Sequence, residues 1–230
     1  MAQQGIPFQS KVRRFLIHRG VEVYVFEPDI VVWDKIVLEL KVLLDFKGRQ
    51  FPEINQAQLL QYLNIFQMNL GMLINFAHPK VGIQRMIFEP VQFKVEEKYE
   101  RMMPFISELD KQTLRVVQRA IRKLATEYGL GFSEKIYRNL LEAELSFLNV
   151  PYSRDVEVEA IWNSEIVGRQ YTRYFLIAGK FLLHIRSSLE RIPVHDFIKT
   201  RTYLRALGLQ VGWIVNFGYE TLQIVATAVK

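Results

Sequence analysis

The chain has 230 residues, half of them apolar, so it can bury one large core or two small ones and is not a disordered polyelectrolyte. It has no cysteine and only four histidines, at 18, 78, 184 and 195, which excludes disulfides and thiolate zinc sites and leaves little for a nitrogen-rich metal centre. The formal charge of +6 is spread evenly, with ten Lys/Arg against eight Asp/Glu over 1–90, eight against six over 91–128 and twelve against ten over 129–230, so any contact with a polyanion must come from folded surfaces. No apolar run approaches the roughly 18 residues of a membrane span, and residues 1–8 lack a secretory pattern, so the expected location is the cytoplasm, with no membrane partner.

Residues 5–26 read as extended segments, with Val21, Val23 and Val25 alternating with Glu22 and Tyr24. Ile30 to Val32 and Ile36 to Leu40 then form a hairpin around Asp34, whose tight connection puts Asp29 opposite Glu39. Strand alternation gives Glu39 and Lys41 one face and assigns Leu38 and Leu40 to the core. A polar loop from Leu43 to Pro52, containing Lys47, Gly48 and Arg49, leads to a helix over Glu53 to Phe66, with Ala57, Leu60 and Leu63 as its apolar positions and Gln58 and Tyr62 on one face. Strands at Leu70 to Phe76 and Ile83 to Phe88 follow. Val91 to Pro104 is a charged stretch without clear period. Ser107 or Asp110 caps the next helix, built on Leu114, Val117, Ile121 and Leu124 and stopped by Gly129, and another helix runs from about Phe132 to Phe147.

The chain is also similar to itself. Sliding residues 52–76 onto 193–217 aligns six identities in twenty-five positions, Pro52, Tyr62, Leu63, Gly71, Asn75 and Phe76 meeting Pro193, Tyr203, Leu204, Gly212, Asn216 and Phe217. The hairpin aligns when residue 29 is set on 174. The pattern reads as a tandem duplication: a first unit over 1–92, a connector over 93–104 and a second unit over 105–230.

Charges inside apolar strands call for a partner, because unpaired buried charge is costly. Two carboxylates at the end of a hairpin suit a hard cation such as Mg²⁺ or Mn²⁺, and Lys41 beside them could position water or neutralise a phosphoryl group. The bland alternative is a solvated stripe on a surface hairpin. The spacing Pro28-Asp29, nine residues, Glu39-Leu40-Lys41, together with Gln58 and Tyr62 on the helix, the strands ending in Asn-Phe, and Gly131, Glu134 and Tyr137, resembles the GxxExxY family of the PD-(D/E)XK nuclease-like superfamily.

That resemblance implies an α/β (α+β) fold of two restriction-endonuclease-like αβββαβ units, each a mixed central sheet flanked by helices. It implies a first copy with Asp29 and Glu39 as metal ligands and Asp29, Glu39, Lys41, Gln58 and Tyr62 as the catalytic set, acting on DNA or RNA. In the second copy the matching positions are Tyr174, His184, Arg186 and Lys199, so that copy is expected to be a pseudo-nuclease in which Arg173, Arg186 and Lys199 could hold a phosphate. The Gly-x-x-Glu-x-x-Tyr helix precedes only the second copy. Either it belongs wholly to that copy, or Glu134 restores a ligand near Asp29 and Glu39; the two copies together would form an intramolecular pseudo-dimer. An inactive nuclease fold serving nucleic-acid or protein contact is the rival reading.

Overall fold

A computed structural model describes residues 2–45, 50–90 and 92–229, apart from the Ile161 side chain, and divides the chain into two compact units, Met1–Val91 and Gln92–Lys230. Lys47, Gly48 and Arg49 lie outside the described residues. The first unit runs β1 (Phe8–Ser10), β2 (Arg14–His18), β3 (Val21–Phe26), β4 (Ile30–Val32), β5 (Ile36–Lys41), α1 (Glu53–Phe66), β6 (Leu70–Asn75) and β7 (Gly82–Ile87). Its main sheet has the order β1-β4-β5-β6-β7, and β2 and β3 form a separate ribbon tied to α1 by Arg14, which donates to the Ile65 carbonyl at 2.7 Å.

The hairpin pairs Ile30 with Leu38, Val31 with Val37 and Val32 with Ile36, the register expected. Its turn is closed by the Lys35 amide donating to the Val32 carbonyl at 3.0 Å, with Trp33 and Asp34 both at φ 52°, the left-handed values of a type I′ turn. The core face is the reverse of the one expected. Val37 and Glu39 are 0% and 4% exposed and face α1, whose Leu59 and Leu63 pack with Val37, Leu73 and Phe51, whereas Leu40 is 37% exposed. Alternation fixes which residues share a face; the crossover from β5 through α1 to the parallel strand β6 decides which face is covered. The buried stripe of α1 is accordingly Leu59, Leu63 and Phe66, and Ala57 and Leu60 are half-buried.

The second unit runs β8 (Lys94–Lys98), α2 (Glu108–Tyr128), α3 (Glu134–Phe147), β9 (Tyr152–Arg154), β10 (Glu157–Trp162), β11 (Glu165–Tyr171), β12 (Tyr174–Ile177), β13 (Phe181–Arg186), α4 (Val194–Ala206), β14 (Val211–Phe217) and β15 (Thr221–Ala228). Its sheet has the order β8-β15-β14-β13-β12-β9. Residues 93–104, read from sequence as a connector, contain β8, which pairs in parallel with β15; Lys, Glu and Glu around a single Val hide a strand whose place at the sheet edge tolerates charge. Ser107 caps α2 by accepting from the Asp110 amide at 3.2 Å, and Gly129 ends it.

The two sheets repeat one register. Ile36 pairs with Leu70 as Phe181 pairs with Val211, Ile30 with Leu38 as Phe175 with Leu183, and Phe8 with Val32 as Tyr152 with Ile177. The helix-facing glycines repeat as well: a Cβ on Gly71 would stand 2.7 Å from Leu59 Cδ1, and one on Gly212 would stand 2.9 Å from Thr200 Cγ2 and 3.2 Å from the Leu182 carbonyl. At Gly212 one of the crowded atoms is the backbone carbonyl of Leu182, which no rotamer change can move. Gly212→Ala is therefore expected to destabilise by about 1–3 kcal/mol in urea unfolding, by forcing α4 off its sheet.

Candidate active site

The end of β5 gathers Asp29, Glu39 and Lys41. Asp29 precedes β4 and Glu39 lies on β5, so the hairpin register brings the Asp29 amide to 3.4 Å from Glu39 Oε2, and the Leu40 amide donates to Asp29 Oδ2 at 2.8 Å. Two residues on, Lys41 Nζ donates to Glu39 Oε1 at 2.9 Å and to Gln58 Oε1 of α1 at 2.8 Å. One helical turn further along α1, the Tyr62 hydroxyl accepts from Gln58 Nε2 at 3.0 Å and donates to the Glu27 carbonyl at 3.3 Å. The structure thus brings Glu39, Lys41, Gln58 and Tyr62 into one hydrogen-bonded chain with Asp29 beside it. Asp29 Oδ1 is also bound by Lys11 at 2.5 Å, a partner the sequence did not suggest.

Burial pushes the Asp29 carboxyl up, but the Lys11 hydrogen bond, the Leu40 amide and Lys41 outweigh it and hold the group below its ordinary value. Glu39 goes the other way: burial drives its carboxyl up, the Lys41 bond only partly offsets that, and the Asp29 charge adds to the rise. Their effects on stability are opposite in sign. Asp29 contributes stability that is present above pH 3.8 and lost as pH falls through its lowered value, whereas the Glu39 contribution is present below pH 4.5 and lost as pH rises through its raised one. Among the described residues no three His, Cys, Asp or Glu side chains cluster as metal ligands.

In the second unit the matching positions hold different chemistry. The Tyr174 ring stacks on His184 with centroids 4.3 Å apart, and its hydroxyl shares a 3.0 Å hydrogen bond with Thr200. Burial, with the charges of Arg186, Lys199 and Arg138, pushes His184 down to about 3, so it is neutral at pH 7. Arg186 forms an ion pair with the buried Asp196, and Lys199 lies over the Tyr203 ring at 5.7 Å. Arg173 is exposed, and the cations whose charge bears on His184 are Arg186, Lys199 and Arg138. Burial lowers Arg186 and pushes Tyr174 up to about 12, and the charge of Glu134, at the start of α3, bears on both in the upward direction. Tyr137 stacks on Phe217 at 3.9 Å and donates to the Gly129 carbonyl at 2.8 Å, so it holds α3 to the sheet.

One polar residue is kept in both units for a structural reason. Asn75 accepts from the Leu43 amide at 2.8 Å and donates to its carbonyl at 3.0 Å, and Asn216 does the same for Ser188 at 2.9 and 3.1 Å. Each asparagine satisfies the chain where it leaves the strand before the crossover helix.

The model of one family, the PD-(D/E)XK nuclease superfamily, matches residues 1–86 and 111–226, nearly the whole chain. The chain belongs to the PD-(D/E)XK nuclease superfamily. The mixed sheets with crossover helices are the α+β architecture of that superfamily, present here in two segments. No curated protein matches the chain. Among solved structures, the crystal structure of SSO0001 is similar over 35% of this chain and 41% of that one, under half of its length, at 21% identity and a TM-score of 0.28. No helix among the described residues is long and apolar enough to cross a membrane.

As a superfamily member, the chain shows which site residues its sequence concealed. Lys11 reaches Asp29 because β1 pairs with β4, Ser10 opposite Ile30, a long-range pairing that no local pattern reveals. Asp196, in the first turn of α4, meets Arg186 of β13, a pairing between two elements that no local pattern reveals.

Proposed function

We propose that the first unit is a divalent-metal-dependent phosphodiesterase acting on DNA or RNA, of the GxxExxY type, and that the second unit is a degenerate duplicate serving binding or scaffolding. The observation that carries this reading is that Asp29, just before β4, and Glu39, on β5, meet at one end of the hairpin, the Asp29 amide 3.4 Å from Glu39 Oε2, with Lys41 Nζ 2.9 Å from Glu39 Oε1. The donor set fits a hard cation. Both groups offer oxygen, and Glu39, buried with a carboxyl raised by that burial, is a charge that a cation would stabilise. Asp29 and Glu39 would hold Mg²⁺ or Mn²⁺, which when bound supplies Lewis-acid polarisation of a phosphodiester and its attacking water. Lys41, fixed between Glu39 and Gln58, is held to donate a hydrogen bond to that water or to a phosphoryl oxygen, and Gln58 is itself oriented by Tyr62.

The duplication is supported by the shared strand registers, and the loss of chemistry in the second copy by the Tyr174 and His184 stack standing where the first has Asp29 and Glu39. With Arg186 paired to Asp196 and Arg138 to Asp155, the phosphate reading of that copy rests on Lys199, with Arg173 contributing only from the exposed surface. A non-catalytic module is the second reading, favoured by the Lys11 ion pair that already neutralises Asp29.

Calorimetry with Mn²⁺ separates the two. The expected result is one saturable site, lost in Glu39→Gln, whose affinity rises as pH climbs from 4.5 through the raised Glu39 pKa, because proton and metal compete for one carboxylate. Heat that is unchanged in Glu39→Gln would reject the site.

A further inference from the structure

The two sheets share a register but not a cover. In the second unit, the face opposite α4 carries Leu183, Ile185, Trp213, Val215, Phe217 and Ile224, each at most 3% exposed. Helix α3 and the segment before α2 cover it: Tyr137 stacks on Phe217, Trp213 Nε1 donates to Met102 Sδ at 2.8 Å, and Arg138 lies over Phe175 at 5.6 Å. The register-matched residues of the first unit are Leu38, Leu40, Met72, Ile74, Phe76 and Ile83. There Leu40, Phe76 and Ile83 are 37%, 54% and 63% exposed, and Ile87 beside them is 66% exposed. An apolar sheet face of this kind marks a contact surface.

The charges around the face say what kind of occupant fits. Asp155 of the second unit has φ 57° and donates its amide to the Tyr174 carbonyl at 3.0 Å; Lys11 has φ 53° and donates to the Asp29 carbonyl at 3.1 Å, so the two are equivalent. Helix α3 meets Asp155 with Arg138. A helix covering the first unit would meet a lysine instead. On the exposed face itself stands Arg85, with no ion-pair partner among the described residues, where the second unit has the buried Ala226. The sign at both positions calls for carboxylates.

We propose that this face of the first unit docks an amphipathic helix from another protein, apolar on one side as α3 is and acidic where α3 carries Arg138. A second copy of this chain fits poorly, since its α3 is basic at that position and already holds its own sheet through Tyr137. Glu134 lies one helical turn before Arg138 on the same face of α3, and Arg138 pairs with Asp155, the equivalent of Lys11, so a carboxylate one turn before the residue that engages Lys11 would approach Asp29, which Lys11 contacts at 2.5 Å, and add to its ligand set. This last point rests on the metal-dependent reading above. By engaging Lys11, the same helix would free Asp29 Oδ1.

The probe is a hydrocarbon-stapled peptide with the sequence of residues 131–148 carrying Arg138→Glu, labelled for fluorescence anisotropy and titrated with the full chain. Saturable binding is expected, about fivefold weaker for the peptide that keeps Arg138, and abolished by Ile83→Glu in the protein; Lys11→Glu in the protein should reverse the preference between the two peptides. No saturation by about 100 µM protein, or binding that Ile83→Glu leaves intact, overturns the docking proposal. In calorimetry, bound peptide should tighten Mn²⁺ binding about tenfold, and a peptide with Glu134→Gln should not. Equal Mn²⁺ affinity with either peptide overturns delivery of the carboxylate, whereas absence of Mn²⁺ heat in every case overturns the metal reading and leaves docking to be decided by anisotropy.

Discussion

Replacing Glu39 with alanine is expected to lower Mg²⁺-dependent cleavage of DNA or RNA by about a thousandfold or more while leaving the circular dichroism spectrum unchanged. The size follows from what the side chain does. Glu39 is one of two carboxylates at the hairpin end and holds Lys41 Nζ at 2.9 Å, so under the proposed metal site its removal would take away a ligand and leave Lys41 held by Gln58 alone. Losses from groups that act as a unit do not add, so Asp29→Ala and the double variant should fall to the same floor. Stability should move the other way or not at all: burial raises the Glu39 carboxyl, and the neutral amide of Glu39→Gln relieves a buried charge that destabilises the fold above pH 4.5. His184→Ala, at the register-equivalent position, should leave cleavage unchanged. A Glu39 variant that still cleaves at the parent rate would remove the first unit from the chemistry.

The second large effect contrasts two register-equivalent phenylalanines. Phe217→Ala should destabilise by about 3–5 kcal/mol in urea unfolding, because Phe217 is wholly buried and stacks on Tyr137 at 3.9 Å, so truncation leaves a cavity between α3 and the sheet. Phe76→Ala should change stability by no more than about 0.5 kcal/mol, since Phe76 is 54% exposed. The same residue type, following the same asparagine on the register-equivalent strand, therefore differs several-fold in its effect, and the cause is the cover that Tyr137 of α3 gives Phe217. Equal costs at the two positions would mean that Phe76 is covered in solution.

The hairpin was legible because its register depends on local information: two β-branched runs joined by a turn too short to slip. The bounds of α1, Glu53–Phe66, were legible for a similar reason, and so was the proximity of Gln58 and Tyr62, which helical geometry alone places together. The buried face of β5 was not. Leu38 and Leu40 are the more apolar pair, yet Val37 and Glu39 face the helix, because the handedness of a crossover is a property of chain topology and not of strand composition. Strand β8 was hidden by charge that an edge tolerates, and the Lys11 ion pair by a pairing between strands some twenty residues apart in the chain. The repeat helped most where local signals were weak. It sets Tyr174 and His184 at the positions of Asp29 and Glu39, and the structure adds that the pair is stacked and that His184 is kept neutral.

The most direct test of a cation site between the first-unit carboxylates is anomalous diffraction at the manganese edge from crystals soaked in Mn²⁺. A peak within coordination distance of both Asp29 and Glu39, absent from Glu39→Gln crystals, is the predicted result. Manganese bound only elsewhere, or the two carboxylates engaged by Lys11 and Lys41 alone at saturating Mn²⁺, would contradict it.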